Sequence, residues 1–357
     1  MSRNNEFTIS QNTLKKLLNA KRNDGFEHKN WDEWFLNIFS DKKSARDKTV
    51  EKFFYKNDFD QWVQNFTLNL DNIQKELSAK EIISNYSNKN DFVIIIGAGP
   101  SLKKHNHLEK LAKSNYHGAI ICTDRSLIPA LKAGVTPEKF PNFYVVTIDA
   151  YKEIEKYYDD EIVNKFGHLI KGIFSVLTFP NTVNKARYAG IKIHWIHTLF
   201  DYADGQKSFN HISALMIRSK TPDHKLPAIQ TGGNVGTSGW FIGWKILKSK
   251  TICLIGMNHG WEEDDPKDLI LSHGHVGNIS EIKFNEENFQ RLFPKIFNPY
   301  FKTNFILDPI FEYYSSTLKE FILRSPENVS TINSTEGGSL FGERITCLSF
   351  TEFLSKF

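Results

Sequence analysis

Five residues, Phe92-Val-Ile-Ile-Ile96, constrain this chain more than any other stretch, because they run without a break into Gly97-Ala-Gly-Pro-Ser-Leu102. A continuous β-branched run is the mark of a strand buried on both faces. Two glycines directly after it let the backbone turn tightly and approach a neighbour with no Cβ in the way. Four similar runs follow: Ala119–Cys122, Phe143–Ile148, Gly172–Leu177 and Ile191–Ile196. Helical patterns separate most of them, as at 108–113 and 127–133. A helix over about 235–248 leads into one more strand, Thr251–Ile255. Strands alternating with helices predict an α/β fold, a Rossmann-like doubly wound and mostly parallel sheet.

The rest of the chain sorts around that sheet. Residues 1–88 are expected to form an N-terminal helical domain, with elements near Ile9, Trp31 and Val50. Trp31, Trp34, Phe35 and Ile38 make one helical stripe, and Phe59, Trp62, Phe66 and Leu70 another. Residues 89–280 are expected to be the Rossmann-like catalytic domain, and 281–357 a small α+β region. Near the end, Ser349-Phe-Thr-Glu352 reads as a capping box that opens a final helix.

Composition excludes several classes. The 357 residues carry a net charge of +4, too small and dispersed for a nucleic-acid surface. No apolar run reaches the length of a membrane span, and no apolar stretch backs the first residues as a signal peptide would. Cys122, Cys253 and Cys347 lie far apart in apolar runs, which reads as buried thiols in a reducing compartment. A cytoplasmic location is expected.

The chemistry is expected at the carboxyl ends of the strands, where open α/β sheets bind ligands. Gly97, Gly99, Pro100 and Ser101 are candidates to cradle a phosphate. Asp124 and Asp149 each end a strand. Either is placed to accept from ribose hydroxyls or to hold a metal, and each also fits a helix cap. Arg125 is a partner for Asp124 or for a phosphate. A second loop, Thr231-Gly-Gly-Asn-Val-Gly-Thr-Ser-Gly239, offers Gly232, Gly233, Asn234 and Thr237, while Gly239 and Gly243 read as packing positions. Asn258 and His259 follow the strand 251–255. The run Glu262–Asp265 reads as a solvated acidic loop. His273 is the candidate general acid or base, its ordinary pKa lying near neutrality.

In this order, the motifs resemble the MptE-like family. That family contains archaeal hydroxymethylpterin diphosphokinases and, more distantly, motility accessory factors similar to sialyltransferase-fold glycosyltransferases. The matching residues are Gly97–Leu102, Asp124, Gly134-Val-Thr-Pro137, Asp149, Gly232–Gly236 and Ile255-Gly-Met-Asn258. Ser272-His-Gly274 and Thr335-Glu-Gly-Gly338 resemble the accessory-factor branch. Asn258 stands where family members commonly carry Asp, which weakens any mechanism that needs several acids around magnesium.

The resemblance implies a transferase using a nucleotide-activated donor, with His273 and Asp149 as catalytic residues. A nucleotide sugar is the leading donor. The alternative is ATP, with magnesium on Asp149, for diphosphoryl transfer to a small alcohol such as a pterin. A non-catalytic nucleotide-binding module is the third reading. The acceptor is expected to be a small molecule or a protein, and a homo-oligomer is compatible with the sequence.

Overall fold

The computed structural model describes residues 43–85, 91–199, 209–218, 226–262, 265, 294–307 and 309–356. In chain order the elements are α1 (Lys43–Lys75), β1 (Leu77–Ser78), α2 (Lys80–Asn85), β2 (Phe92–Ile96), α3 (Ser101–Lys104), α4 (His107–Lys113), β3 (Ala119–Thr123) and α5 (Asp124–Lys132). These are followed by β4 (Phe143–Thr147), α6 (Glu161–Phe166), β5 (Lys171–Ser175), α7 (Pro180–Tyr188), β6 (Lys192–Leu199), α8 (Phe209–Arg218), β7 (Ala228–Gln230), α9 (Val235–Lys245) and β8 (Thr251–Ile255). The last are β9 (Trp261–Glu262), β10 (Lys295–Asn298), β11 (Thr303–Ile306), α10 (Pro309–Arg324), β12 (Ser330–Asn333), β13 (Ile345–Cys347) and α11 (Phe350–Lys356).

Ten strands form one sheet in the order β1-β6-β5-β4-β3-β2-β8-β12-β13, with β7 pairing to β6. Every pairing in it is parallel. The chain steps outward from β2 to β6 on one side, returns, and continues from β8 to β13 on the other. The direction of winding therefore reverses between β2 and β8, whose register runs from Phe92↔Thr251 to Ile96↔Ile255. A doubly wound sheet parts at such a point, and its strand ends open a crevice there.

Alternation along β2 builds two cores. Ile94 and Ile96 face a layer containing Leu108, Leu111, Leu127, Val163, Val183 and Phe350. Val93 and Ile95 face the other layer, with Trp240, Ile242, Leu318 and Ile322. Each such fully buried side chain contributes about 1.5–3 kcal/mol. The stripe expected on the first described helix is seated as a packing face: Phe66 is fully buried, and Trp62 and Leu70 pack against the first core.

Three strands join the sheet from outside the stretch expected to supply it. Leu77–Ser78, ahead of residue 89, pairs with β6, and β12 and β13, beyond residue 280, extend the sheet past β8. Among the described residues only β9, β10 and β11 stand apart, as a small antiparallel sheet. The helical patterns near Ile9 and Trp31 lie outside the described residues. No helix among the described residues is long and apolar enough to cross a membrane.

Candidate functional site

Three loops meet at the carboxyl edge where the winding reverses: those after β2, β8 and β12. The first is keyed into the second. Gly97 N–H donates to Ile255 O at 2.8 Å and Gly99 N–H to Gly256 O at 2.8 Å. A Cβ on Gly97 would stand 2.3 Å from Gly256 O, and one on Gly99 would stand 2.1 Å from Asn258 Oδ1. These glycines are therefore required by the close approach of two strand ends. Their N–H groups, expected to face a phosphate, are spent on β8. Ser101 is buried, and its hydroxyl, also expected on a phosphate, donates to Asn258 Oδ1 at 2.8 Å. Pro100 is half-buried beside it.

The third loop closes on the second. Thr335 Oγ1 accepts from Met257 N–H at 3.2 Å, and Ser339 N–H donates to Asn258 O at 2.9 Å. Between them Glu336 sits at φ +60, a left-handed conformation that is uncommon away from glycine. Its Oε1 accepts from Phe350 N–H at 2.9 Å and lies 3.2 Å from His107 Nε2. Burial pushes this carboxyl up, but His107 and the Phe350 N–H outweigh it and hold it down at about 2. Glu262, expected in a solvated acidic loop, is instead buried and paired with Lys104, and its N–H donates to Asp265 Oδ2 at 2.8 Å. The run of four like charges along 262–265 gave no sign of that inward partner.

Asp124 and Asp149 are brought together on neighbouring strands. Asp124 is 3% exposed. Its Oδ1 accepts from Arg125 N–H at 2.7 Å, while Oδ2 is buried with no hydrogen-bond partner. Burial first, and then the nearby Asp149 carboxylate, push the Asp124 carboxyl up to about 8. The Thr147 hydroxyl moderates the rise, but it is engaged with the Tyr158 hydroxyl at 2.5 Å. A buried polar atom of this kind is ordinarily satisfied, by water or by a ligand where no side chain reaches it. Asp149 is half-buried at the end of β4.

The second glycine loop is placed differently. Asn234 caps α9, with Oδ1 accepting from Thr237 N–H at 2.9 Å and Nδ2 donating to Thr237 Oγ1 at 2.9 Å. Gly232 and Gly233 take positive φ and lie against Thr317, Phe321 and Tyr314 of α10. Gly236 faces Met257, so the start of α9 borders the crevice even though the polar side chains of its cap are turned to each other. Gly239 and Gly243 lie against Ile95 and Val93, as packing positions should.

The histidines separate by environment. His259 is buried at φ +44 and stacks on Phe311 at 6.1 Å. Burial lowers its pKa to about 3, so it is neutral at physiological pH. His273 lies outside the described residues. Trp240, on the helix after the second glycine loop, and Trp261, after β8, are both buried in the core.

One feature of the site was not expected from the sequence. Along α1, Asn65 Nδ2 donates to Ala150 O at 2.8 Å and Leu177 O at 2.9 Å, and Asn69 Nδ2 to Thr178 O at 2.7 Å. Gln61 adds a bond to Ala150 O at 3.0 Å. The helix thereby satisfies the loose carbonyls beyond β4 and β5 and walls the edge next to Asp149. Spacings of four residues carried the hint, hidden among the aromatic positions of the same helix.

Fold and edge define the class: a doubly wound, Rossmann-like α/β protein with its buried acids and loop junctions gathered where the winding reverses. The family model for 6-hydroxymethylpterin diphosphokinase MptE-like proteins matches residues 64–264, and the chain belongs to that family. A search of curated proteins gives no match. Among solved structures, the MAf glycosyltransferase from Magnetospirillum magneticum AMB-1 is similar at 15% identity and a TM-score of 0.47; the match covers 74% of this chain and 35% of that one.

Proposed function

We propose that this protein is a nucleotide-dependent transferase that takes its transferred group from a nucleotide-activated sugar. The observation that supports this most directly is Asp124, a buried acid at a strand end beside the crevice, with Oδ2 left without a donor. Ribose hydroxyls both donate and accept, so they suit this oxygen when ionised and equally when burial and Asp149 keep it protonated and donating near neutral pH. The phosphate then lies toward the junction of the loops after β2 and β8 and the start of α9. Transfer from an activated donor rests on positioning and charge stabilisation, so it needs no nucleophile in the protein. The proposed role of His273 in proton transfer rests on the sequence.

A second reading, ATP-dependent diphosphoryl transfer to a small alcohol, is favoured by the acid pair itself. Magnesium is commonly held by one or two carboxylates together with substrate phosphates. Asp124 and Asp149 fit that demand and would hold the ion, which would offset phosphoryl charge.

Calorimetric titration with CMP and with ATP, each with and without magnesium, tests both. The first reading expects CMP to bind, and Asp124→Ala to weaken it by about 10–100-fold, the worth of hydrogen bonds to a charged or strongly polar group. ATP binding only with magnesium, with AMP released when a pterin alcohol is added, would establish the second. Failure of every nucleotide to bind would overturn both.

A further inference from the structure

Asn258 follows β8 and is 4% exposed. Its Oδ1 accepts from Ser101 Oγ at 2.8 Å and lies 3.4 Å from Ser101 N. A backbone N–H only donates, so the amide atom that faces it is the oxygen, and the nitrogen points the other way. The main chain fixes this orientation. Asn258 O accepts from Ser339 N–H, and a Cβ on Gly338 would stand 2.1 Å from that oxygen. Asn258 is thus gripped by the loops after β2 and β12 together, and Nδ2 finds no acceptor among the described residues.

The charges around Nδ2 are few. A Cβ on Gly337 would lie 3.9 Å from Nδ2 and 2.2 Å from Glu262 Oε1. Glu262 is buried, its Oε2 on Lys104 and its Oε1 unpartnered. Lys104 thus answers Glu262, Asp265 accepts from the Glu262 main chain, and the amide adds two N–H donors with no charge.

We propose that Asn258 is a specificity-determining residue: Nδ2 donates to an anionic oxygen of the ligand and lets the loop junction bind it without a divalent cation. This rests on the reading that the site takes a phosphate-bearing ligand. An aspartate here would keep both Ser101 contacts, since its oxygens also accept. Its second oxygen, however, would face the ligand's anion and would add a negative charge beside Glu262. A cation would then be required to reconcile the three negative groups.

The test is calorimetry with CMP and with inorganic pyrophosphate, each in EDTA and in magnesium, on wild type, Asn258→Asp and Asn258→Ala. Wild-type affinity should be the same in both solutions. Asn258→Asp should bind about 10–100-fold more weakly in EDTA and recover in magnesium, while Asn258→Ala should weaken in both. Asp binding like wild type in EDTA would overturn the proposal, as would wild-type binding that appears only with magnesium. The second of these decides the matter even if the Asp variant fails to fold. If pyrophosphate behaves as expected and no nucleotide binds, the inference stands and the nucleotide reading falls. If CMP binds and the Asp variant is indifferent to metal, the reading stands and the inference falls. No binding of either probe overturns both.

Discussion

At the scale of single residues, the site stores instability where it has most to offer a ligand. Asp124 is protonated in both folded and unfolded states below its ordinary value of 3.8, so it costs nothing there. As pH rises from 3.8 toward about 8, the unfolded chain ionises more readily, and folding stability falls across that window. Asp124→Asn keeps an acceptor for Arg125 N–H and removes the cost. We expect thermal melts of this variant to match wild type at pH 3.5 and to exceed it at pH 8 by on the order of 2–4 kcal/mol, while nucleotide affinity drops. Glu336 has the opposite sign. Its carboxyl falls from 4.5 to about 2 on folding, so the stability it contributes is present above pH 4.5 and is lost as pH falls toward 2. Glu336→Gln should therefore melt lower than wild type at pH 7, and the two should converge near pH 2. The placement of Asp124 at a strand end was legible from the sequence, because it follows the apolar run 119–122, whereas Glu336 was readable only as part of the motif Thr335–Gly338. Arg125 was legible as a partner of Asp124, though through its side chain rather than its N–H, while His107 and Phe350 N–H are chosen for Glu336 by the fold.

At the scale of elements, the glycine loops show what a sequence pattern carries and where it stops. Strands β2, β3, β4, β5, β6 and β8 were readable as apolar runs, because burial on both faces leaves no polar interruption, and α9 as a helical stretch. The loop Gly97–Ser101 was readable as a tight turn. Its occupant was not, since a glycine spared for a phosphate and a glycine spared for a neighbouring carbonyl look alike in sequence. The two uses separate in one experiment. Gly99→Ala would place a Cβ 2.7 Å from Gly256 O, a main-chain atom, and 2.1 Å from Asn258 Oδ1. We expect a loss of about 1–3 kcal/mol in chemical denaturation, which Asn258→Ala in the same chain does not restore, because the carbonyl clash remains. The asparagines of α1 make the matching case. Asn65→Ala leaves Leu177 O without its donor and weakens the hold on Ala150 O. It should cost about 1–3 kcal/mol. Thr67→Ala, on the exposed face of the same helix, should stay within about 0.5 kcal/mol.

At the scale of the whole molecule, the position of the site follows from connectivity. A chain that winds outward from β2 and resumes at β8 must leave the ends of those two strands with loops leading opposite ways. The third strand at that junction, β12, comes from the far end of the sequence, and its loop Ser334–Ser339 was readable as a motif but not as a neighbour of Asn258. The sheet has a second edge, at the amino ends of the strands, where Gly118, Asn142 and Lys250 lie. The proposed function places a ligand at the first edge alone. Hydrogen exchange distinguishes the two edges, since amides that exchange by local opening respond to nearby contacts and only weakly to the global gain in stability from binding. Saturating nucleotide should slow exchange at 97–101, 124–126 and 256–259, and leave 117–119, 142 and 249–251 unchanged. Protection shared equally by both edges would mean that the ligand acts by stabilising the whole fold, and the carboxyl-edge crevice would lose its claim. Protection confined to the first edge but absent from 256–259 would keep the crevice and remove Asn258 from it.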